Sequence, residues 1–136
     1  MLDEELRRRA ETAPVARLAT VDGAGRPRVV PCCFALDGDV VYTAVDHKPK
    51  RTSRLARLDD IRGNPAVGLV VDHYEDDWSA LWWVRVDGTA EVHETGPLRE
   101  RALAELQAKY PPYAAASPAG ALLVITPSRW SGWTAA

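Results

Sequence analysis

A cluster of basic residues lies between residues 45 and 65 of a chain whose formal net charge is -2. Its members are Lys48, Lys50, Arg51, Arg54, Arg57 and Arg62. An apolar segment precedes the cluster, Pro49 prevents an early helix start, and Thr52 or Ser53 can cap a following helix. Such a capped start turns free N–H groups and the positive end of the helix dipole toward an anion. Lysine and arginine side chains strengthen that binding, so the pattern predicts a phosphate site.

The same residues have a second interpretation as a solvated helix face. Arg54, Arg57 and Arg62 can point into water, with Asp59 and Asp60 balancing their charge. This stretch alone leaves both interpretations open.

Residues for nucleophilic or metal chemistry are poorly spaced. No serine lies in a Gly-x-Ser-x-Gly sequence, and His47, His73 and His93 are too far apart in sequence to form a helical metal pair. Cys32 and Cys33 are neighbours, so on a strand they point to opposite faces and do not bridge. We expect no metal site, and we expect the cysteines to be small buried residues, one of them lining a pocket.

The chain is rich in tryptophan for its length. The residues are Trp78, Trp82, Trp83, Trp130 and Trp133. Trp82 and Trp83 must face opposite sides of one strand, so one can fill the core while the other covers an outer surface. An outward tryptophan suits a subunit interface or a wall beside a flat ring. Trp130 and Trp133 stand in a polar tail, where they can dock on a partner or at a pocket mouth.

Composition limits the class of protein. The 136 residues, 46% of them hydrophobic, suit one domain over residues 1–136. The slightly negative charge argues against nucleic-acid binding driven by bulk charge. The first residues carry no apolar segment of signal-peptide length, and no apolar run is long enough to cross a membrane. We therefore expect a cytoplasmic protein that binds neither nucleic acid nor membrane.

Hydrophobic periodicity predicts a mainly β protein of the α+β class. We expect strands at 15–21, 27–36, 40–45, 66–72, 81–93 and 121–126, and no regular element at 127–133. Helices are expected at 1–13, after the basic loop, and from Pro97. Pro31 marks an edge or bulged strand, and Gly88 a bend or bulge. Hairpin spacing without βαβ alternation favours a six-stranded antiparallel barrel with two or three helices.

Several short motifs resemble the pyridoxamine-phosphate-oxidase-like split β-barrel family. They are Leu18-Ala19-Thr20, Asp22-Gly23-x-Gly25, Arg26-Pro27, Val30-Pro31 and Lys48-Pro49-Lys50-Arg51-Thr52. A longer run, Asp77-Trp78-Ser79-x-Leu81-Trp82-Trp83-Val84-Arg85-Val86-x-Gly88-x-Ala90, is more specific. It resembles the actinobacterial subgroup of flavin and deazaflavin oxidoreductases that use coenzyme F-420.

The resemblance implies an FMN-binding-like Greek-key split barrel. It implies a homodimer with two cofactor sites along the subunit interface. Lys48, Lys50, Arg51 and Thr52 would hold the cofactor phosphate, with Arg54 and Arg57 in second rank. Backbone of Val30, Pro31 and Cys32 would lie beneath the ring. Trp78 would reach the site, together with either Trp130 or Trp133. These side chains can come from the same subunit or from the other one.

The leading functional hypothesis is a deazaflavin-dependent oxidoreductase. The coenzyme F-420 ring donates a hydride to a small unsaturated or conjugated substrate, so the protein needs no nucleophile of its own. Tyr42, Tyr74 and His47 are candidate proton donors. One alternative is an FMN-binding oxidase or reductase. The others are a non-catalytic carrier of flavin, deazaflavin or haem, and a purely structural dimer.

Overall fold

The computed structural model describes residues 2–44 and 51–135, with only the backbone described for residues 51–55. These residues form one antiparallel sheet, four α-helices and a short 3-10 helix at Trp78–Ala80. The strands are β1 Ala16–Val21, β2 Pro27–Cys32, β3 Phe34–Asp37, β4 Val40–Ala44, β5 Ala66–His73, β6 Trp82–His93 and β7 Leu122–Thr134. The helices are α1 Glu4–Thr12, α2 Arg51–Gly63, α3 Pro97–Lys109 and α4 Pro111–Ala115. No helix within the described ranges is long and apolar enough to cross a membrane.

The order of the strands shows that the sheet curls into a barrel. Across the sheet the order is β2-β1-β5-β6-β7-β4-β3, so β2 and β3 are the two edges. In the sequence these two strands are separated only by Cys33. Consecutive Cα atoms lie about 3.8 Å apart, so the two edges must meet at Cys33. The expected α+β split barrel is confirmed, with seven strands rather than six because the predicted strand 27–36 changes edge at this residue.

Side chains satisfy the backbone where the two edges meet. The Thr43 hydroxyl donates to the Cys33 carbonyl oxygen at 2.7 Å. The Phe34 N–H donates to the Tyr110 hydroxyl oxygen at 3.0 Å. Because a buried backbone group without a partner is costly, these bonds stabilise the break between β2 and β3. Pro31 lies on the edge strand β2, as its missing N–H predicted.

The β6–β7 pair is the longest in the sheet and contains a bulge. The register shifts between Asp87 and Gly88, which confirms the irregularity expected at the glycine. A Cβ atom at Gly88 would lie 2.4 Å from the carbonyl oxygen of Thr126, so only glycine fits. The prediction of no element at 127–133 is wrong, since Trp130 pairs with Val86 and β7 continues to Thr134. The long strand β6 supplies the hydrogen-bonding partner that this polar segment needs.

Alternating burial along β6 places Trp82 inside the barrel, where it is 8% exposed, and leaves Trp83 on the outer side. The burial of β5 alternates in the same way, with Val67, Leu69 and Val71 facing inward. One face of the sheet is therefore the core face, which is the usual arrangement for an antiparallel sheet. A second buried cluster lies beneath α3, around Leu106, Leu122 and Val124.

Helix α2 is fixed against the sheet by a buried carboxylate. It begins at Arg51, so Thr52 and Ser53, either of which was predicted to cap it, both lie inside the helix and that prediction is wrong. Asp60 is 6% exposed; its Oδ2 atom accepts from the Thr20 hydroxyl at 3.3 Å and lies 2.8 Å from Nε of Arg28. Together with the buried Ile61, these contacts set the position of the helix that carries most of the basic cluster.

Candidate functional site

The candidate site is a cleft of about 230 Å³ at the place where the two sheet edges meet. It is lined by Val15, Pro31, Cys32, Cys33, Ala44, Arg57 and Tyr113. These residues come from the segment just before β1, the ends of β2 and β4, the flank of α2 and the short helix α4. The barrel closure therefore brings together five segments of the chain.

Arg57 gives the cleft its positive charge. Its Nε atom is buried and has no hydrogen-bond partner among the described residues. A buried polar group without a partner costs free energy, and an anionic oxygen is the partner that a guanidinium binds best. The arrangement is thus suited to an anion that enters the cleft. Arg57 is half-buried and so does not lie on a fully solvated helix face; its assignment to a phosphate stays a prediction.

The other predicted phosphate residues precede Arg57 in the chain. Lys48 and Lys50 lie outside the described residues. Arg51, Thr52 and Arg54 lie in the first turns of α2, and their side chains are outside the described part of the chain. Ala44, which ends β4 before this stretch, lines the cleft, as does Arg57 after it. The assignment of these five residues to a phosphate stays a prediction.

The predicted ring-bearing strand borders the cleft. Pro31 and Cys32 are lining residues, whereas Val30 packs against the core cluster inside the barrel. As β2 is an edge strand, backbone groups on its outer side have no neighbouring strand. A flat ligand can lie against such an edge.

Both cysteines are free and half-buried, and both line the cleft. From the sequence, only one of the two cysteines was expected to line a pocket. Burial raises the pKa of the Cys32 thiol, against the opposing effects of a hydrogen bond with Thr43 and the positive charge of Arg57. Cys32 is therefore a neutral thiol near neutral pH.

Lys109 is a residue that the sequence analysis did not single out. Its Nζ atom lies 3.6 Å from the ring centroid of Phe34 and lacks a hydrogen-bond partner within the described ranges. Burial lowers the pKa of Lys109 to about 8, while attraction to Cys33, Glu11 and Cys32 acts in the opposite direction. A lysine in the last turn of a helix normally complements the helix dipole at the surface, so no sequence signal distinguishes it. Tyr113, on the short helix α4, was likewise not singled out from the sequence.

The three predicted tryptophans are not at the cleft of this chain. Trp78 is 76% exposed and Trp133 is 42% exposed. Trp130 lines a separate groove, where the Arg7 guanidinium lies 5.1 Å from its ring centroid. Their contribution to a cofactor site from a partner subunit stays a prediction.

Neither described candidate proton donor reaches the cleft. The Tyr42 hydroxyl is buried and donates to Oδ2 of Asp37 at 2.8 Å, and Tyr74 is 65% exposed in the segment after β5. Burial and the Asp37 carboxylate raise the pKa of Tyr42. His47 lies outside the described residues.

Comparisons with solved structures agree on the fold. The haem storage protein HutZ from Vibrio cholerae superposes with a TM-score of 0.75 at 19% identity, covering 98% of this chain and 94% of that one. A conserved hypothetical protein from Mycobacterium tuberculosis gives a TM-score of 0.77 at 17% identity, with 99% and 86% covered. An FAD-binding protein from Mycobacterium smegmatis gives 0.65 at 20% identity, with 98% and 95% covered.

Sequence comparison is decisive at the level of the family. No curated protein matches the chain. The profile of the pyridoxamine 5′-phosphate oxidase family matches residues 2–134, almost the whole length. The chain therefore belongs to the pyridoxamine 5′-phosphate oxidase family.

Proposed function

We propose that this protein binds FMN in the cleft, with the phosphate on the part of the basic cluster from Lys48 to Arg57, and acts as an oxidoreductase on a small molecule. The observation that carries the proposal is the buried, unpartnered Nε of Arg57 in a cleft beside an edge strand, within the part of the chain that the structure describes. A guanidinium in that position needs an anion, and the residues preceding it in sequence add further positive charge.

The size of the cleft supports a site completed by a second copy of the chain. Pockets that enclose a whole cofactor have volumes of about 300–1,000 Å³, and this cleft has about 230 Å³. Part of the flavin must therefore extend beyond it. Val15, which lines the cleft, is 40% exposed, and Val29 on the same edge of the sheet is 65% exposed. Exposed apolar residues next to an incomplete site favour a homodimer with the cofactor at the interface.

The protein's part in the reaction is binding and orientation. A bound flavin supplies the redox chemistry. Arg57 would hold the anionic tail, and Pro31 and Tyr113, which line the same cleft, would border the ring. Side chains that enclose a substrate beside the cofactor would hold it in position for the reaction.

Coenzyme F-420 is the second candidate cofactor, supported by the Asp77-Trp78-Ser79 resemblance. Asp77 Oδ1 accepts from the Ser79 N–H at 3.1 Å and from its hydroxyl at 2.7 Å. These bonds fix the 3-10 helix that holds Trp78 in solvent. An exposed tryptophan on a fixed turn suits stacking on a ring bound by another subunit. In that case the activity is hydride transfer to an unsaturated substrate.

A haem carrier is the third candidate, because the cleft contains two thiols that can ligate iron. The similar fold of the haem storage protein HutZ supports this candidate. It predicts haem binding without turnover of any substrate.

Equilibrium titration of the purified protein with FMN, coenzyme F-420 and haem, read by tryptophan fluorescence, tests the proposal. We expect FMN to bind, and we expect Arg57→Met to weaken binding by about 1–3 kcal/mol, as for the loss of one charge-assisted hydrogen bond. Arg62→Met is the matched control, since Arg62 lies on the same helix but pairs with Glu94 at 3.2 Å on the surface.

Each result of the titration has a defined meaning. Unchanged FMN affinity in Arg57→Met contradicts the assignment of the cleft. Tighter binding of coenzyme F-420 than of FMN selects the deazaflavin reaction, and haem binding alone selects the carrier. If none of the three binds, the protein is not a redox-cofactor protein.

A further inference from the structure

The outer face of the sheet is apolar where β2, β1, β5, β6 and β7 lie side by side. Val29 is in register with Ala19, and Ala19 is in register with Gly68. Further along the same face, Trp83 of β6 is in register with Trp133 of β7. Register partners point to the same side of a sheet, and the alternating burial of β5 and β6 puts this side opposite the core. Outward positions of an antiparallel sheet are commonly polar, so an apolar outer face is unusual for a surface in water.

The helices leave this face open in the part of the chain that the structure describes. Helices α1 and α2 contribute to the core cluster inside the barrel, α3 packs on β3 and β4, and α4 packs against α3. Val29 is 65% exposed and Trp133 is 42% exposed, while Trp83 is half-buried. A contiguous exposed apolar patch marks an interaction site, and tryptophan is enriched in the centre of protein interfaces.

The charges on this face are nearly balanced within one chain. The Arg17 guanidinium donates to Oδ1 of Asp72 at 2.6 Å. Arg85 pairs with Asp87 at 3.3 Å, and Arg129 is in register with the same carboxylate. A two-fold dimer brings a surface against an identical copy of itself, and a surface of one charge would repel its copy. The near-neutral outer face does not have this obstacle, so a second copy of the chain suits it.

The same face is continuous with the candidate cleft. Pro31 is in register with Arg17 on the outer side of the sheet, and it also lines the cleft. A chain that packs on the outer face therefore lies next to the cleft, which is too small to enclose a whole flavin.

We propose that a second copy of this chain docks on the outer face of β2, β1, β5, β6 and β7, with Trp83 and Trp133 in the interface. This inference rests on the homodimer of the proposed function and names the surface that forms it. The two chains bury the apolar residues of this face against each other, which is the contribution that drives most protein association.

Sedimentation velocity of the full-length protein tests the surface with Gly68→Glu. A Cβ atom at Gly68 would meet only the Cβ atom of Ala19, at 4.0 Å, so the single chain has room for the new side chain. We expect the dissociation constant of the dimer to rise at least about ten-fold, because the carboxylate projects from the face. Trp133→Ser should have the same effect. Ala104→Glu, at an exposed position on α3, is the control and should leave the dimer intact.

Tryptophan emission gives a second readout that needs no variant. Dilution of the wild type below the dissociation constant of the dimer should shift the emission to longer wavelengths, as Trp83 and Trp133 become exposed to water. Circular dichroism confirms the fold of each variant, and Trp133→Ser carries the test if Gly68→Glu does not fold.

The outcomes separate this inference from the proposed cofactor. A wild-type monomer at micromolar concentration, or dimers of Gly68→Glu and Trp133→Ser as stable as the wild type, would overturn the inference. A wild-type dimer that is weakened by both variants but does not bind FMN would support the surface and contradict the proposed function.

Discussion

At the scale of single residues, glycine at position 88 is required by a close approach of two strands. A Cβ atom there would lie 2.4 Å from the carbonyl oxygen of Thr126, and backbone cannot move away as a flexible side chain can. We expect Gly88→Ala to destabilise the protein by about 1–3 kcal/mol, measured by urea denaturation. Gly23→Ala is the control, because a Cβ atom at that position would meet nothing within 4 Å; equal stability of the two variants would contradict the explanation.

Lys109 makes stability depend on pH in a defined direction. Its pKa falls from 10.5 in the unfolded chain to about 8 because of burial, so above pH 8 the unfolded state binds more protons than the folded state. Stability attributable to this residue therefore rises with pH through that window. Burial raises the pKa of Tyr110 from 10.0 to about 12, so above pH 10 the unfolded state loses the tyrosine proton first and stability falls. Burial also raises the pKa of Cys32 from 9.0, which lowers stability as the pH rises between 8 and 10, so the lysine is isolated only by comparison with a variant that lacks it.

We expect the free energy of unfolding of the wild type to increase relative to that of Lys109→Met between pH 8 and 10. Urea denaturation at several pH values in this range measures the difference. Parallel pH profiles for the two proteins would mean that the ammonium is solvated in the folded state.

At the scale of elements, the end of α3 holds the two sheet edges together. The Tyr110 hydroxyl accepts from the Phe34 N–H, and it lies 3.0 Å from the carbonyl oxygens of Pro14 and Phe34, to either of which it can donate. Phe34 is fully buried, so without the hydroxyl its N–H has no water to bind. The same residue therefore fixes α3, the start of β1 and the break after β2.

We expect Tyr110→Phe to lower the free energy of unfolding by about 1–3 kcal/mol, the cost of a buried unpaired donor. Tyr74→Phe, at a position 65% exposed, is the matched control and should have no measurable effect. A fall in stability of equal size in both variants would show that the hydroxyl at position 110 has no special role.

Short-range sequence patterns, such as helical spacing of apolar residues or a proline or glycine within a strand, predicted the elements that depend on them. The helix near the N-terminus has Leu6 and Ala10 buried at helical spacing, and Pro31 and Gly88 marked an edge and a bulge as expected. The extension of β7 through Trp130 to Thr134 could not be read in this way, because its polar residues form a strand only where β6 offers a partner. Tertiary pairing outweighs intrinsic preference in strands.

At the scale of the whole molecule, the class of the fold was predictable and the site only in part. Hairpin spacing indicated an antiparallel barrel, but pairs such as Val41 with Ile125 join distant segments and carry no local signal. Arg57 and Cys32 were candidates from their sequence neighbourhood. The roles of Tyr113 and Lys109 became apparent only once α3 was packed beside β3 and α4 against α3, since their neighbours come from far along the chain.

The proposed homodimer predicts a dependence of assembly on the exposed edge of the sheet. We expect the wild type to sediment as a dimer and Val29→Glu to shift it toward monomer, because a carboxylate would replace an apolar contact. Ala24→Glu, in the exposed turn between β1 and β2, should leave the dimer intact. A wild-type monomer at micromolar concentration would contradict the interface proposal.

The single-residue junction at Cys33 has a mechanical consequence. The two backbone torsions of this residue, together with the hydrogen bonds of the Tyr110 hydroxyl, set how the edge strands β2 and β3 meet. A ligand bound between the two edge strands would press them apart. A small rotation about the Cys33 backbone torsions would then change the separation of β2 and β3. We therefore expect a bound ligand to act first on the β1–β2 and β3–β4 hairpins, which meet at this residue.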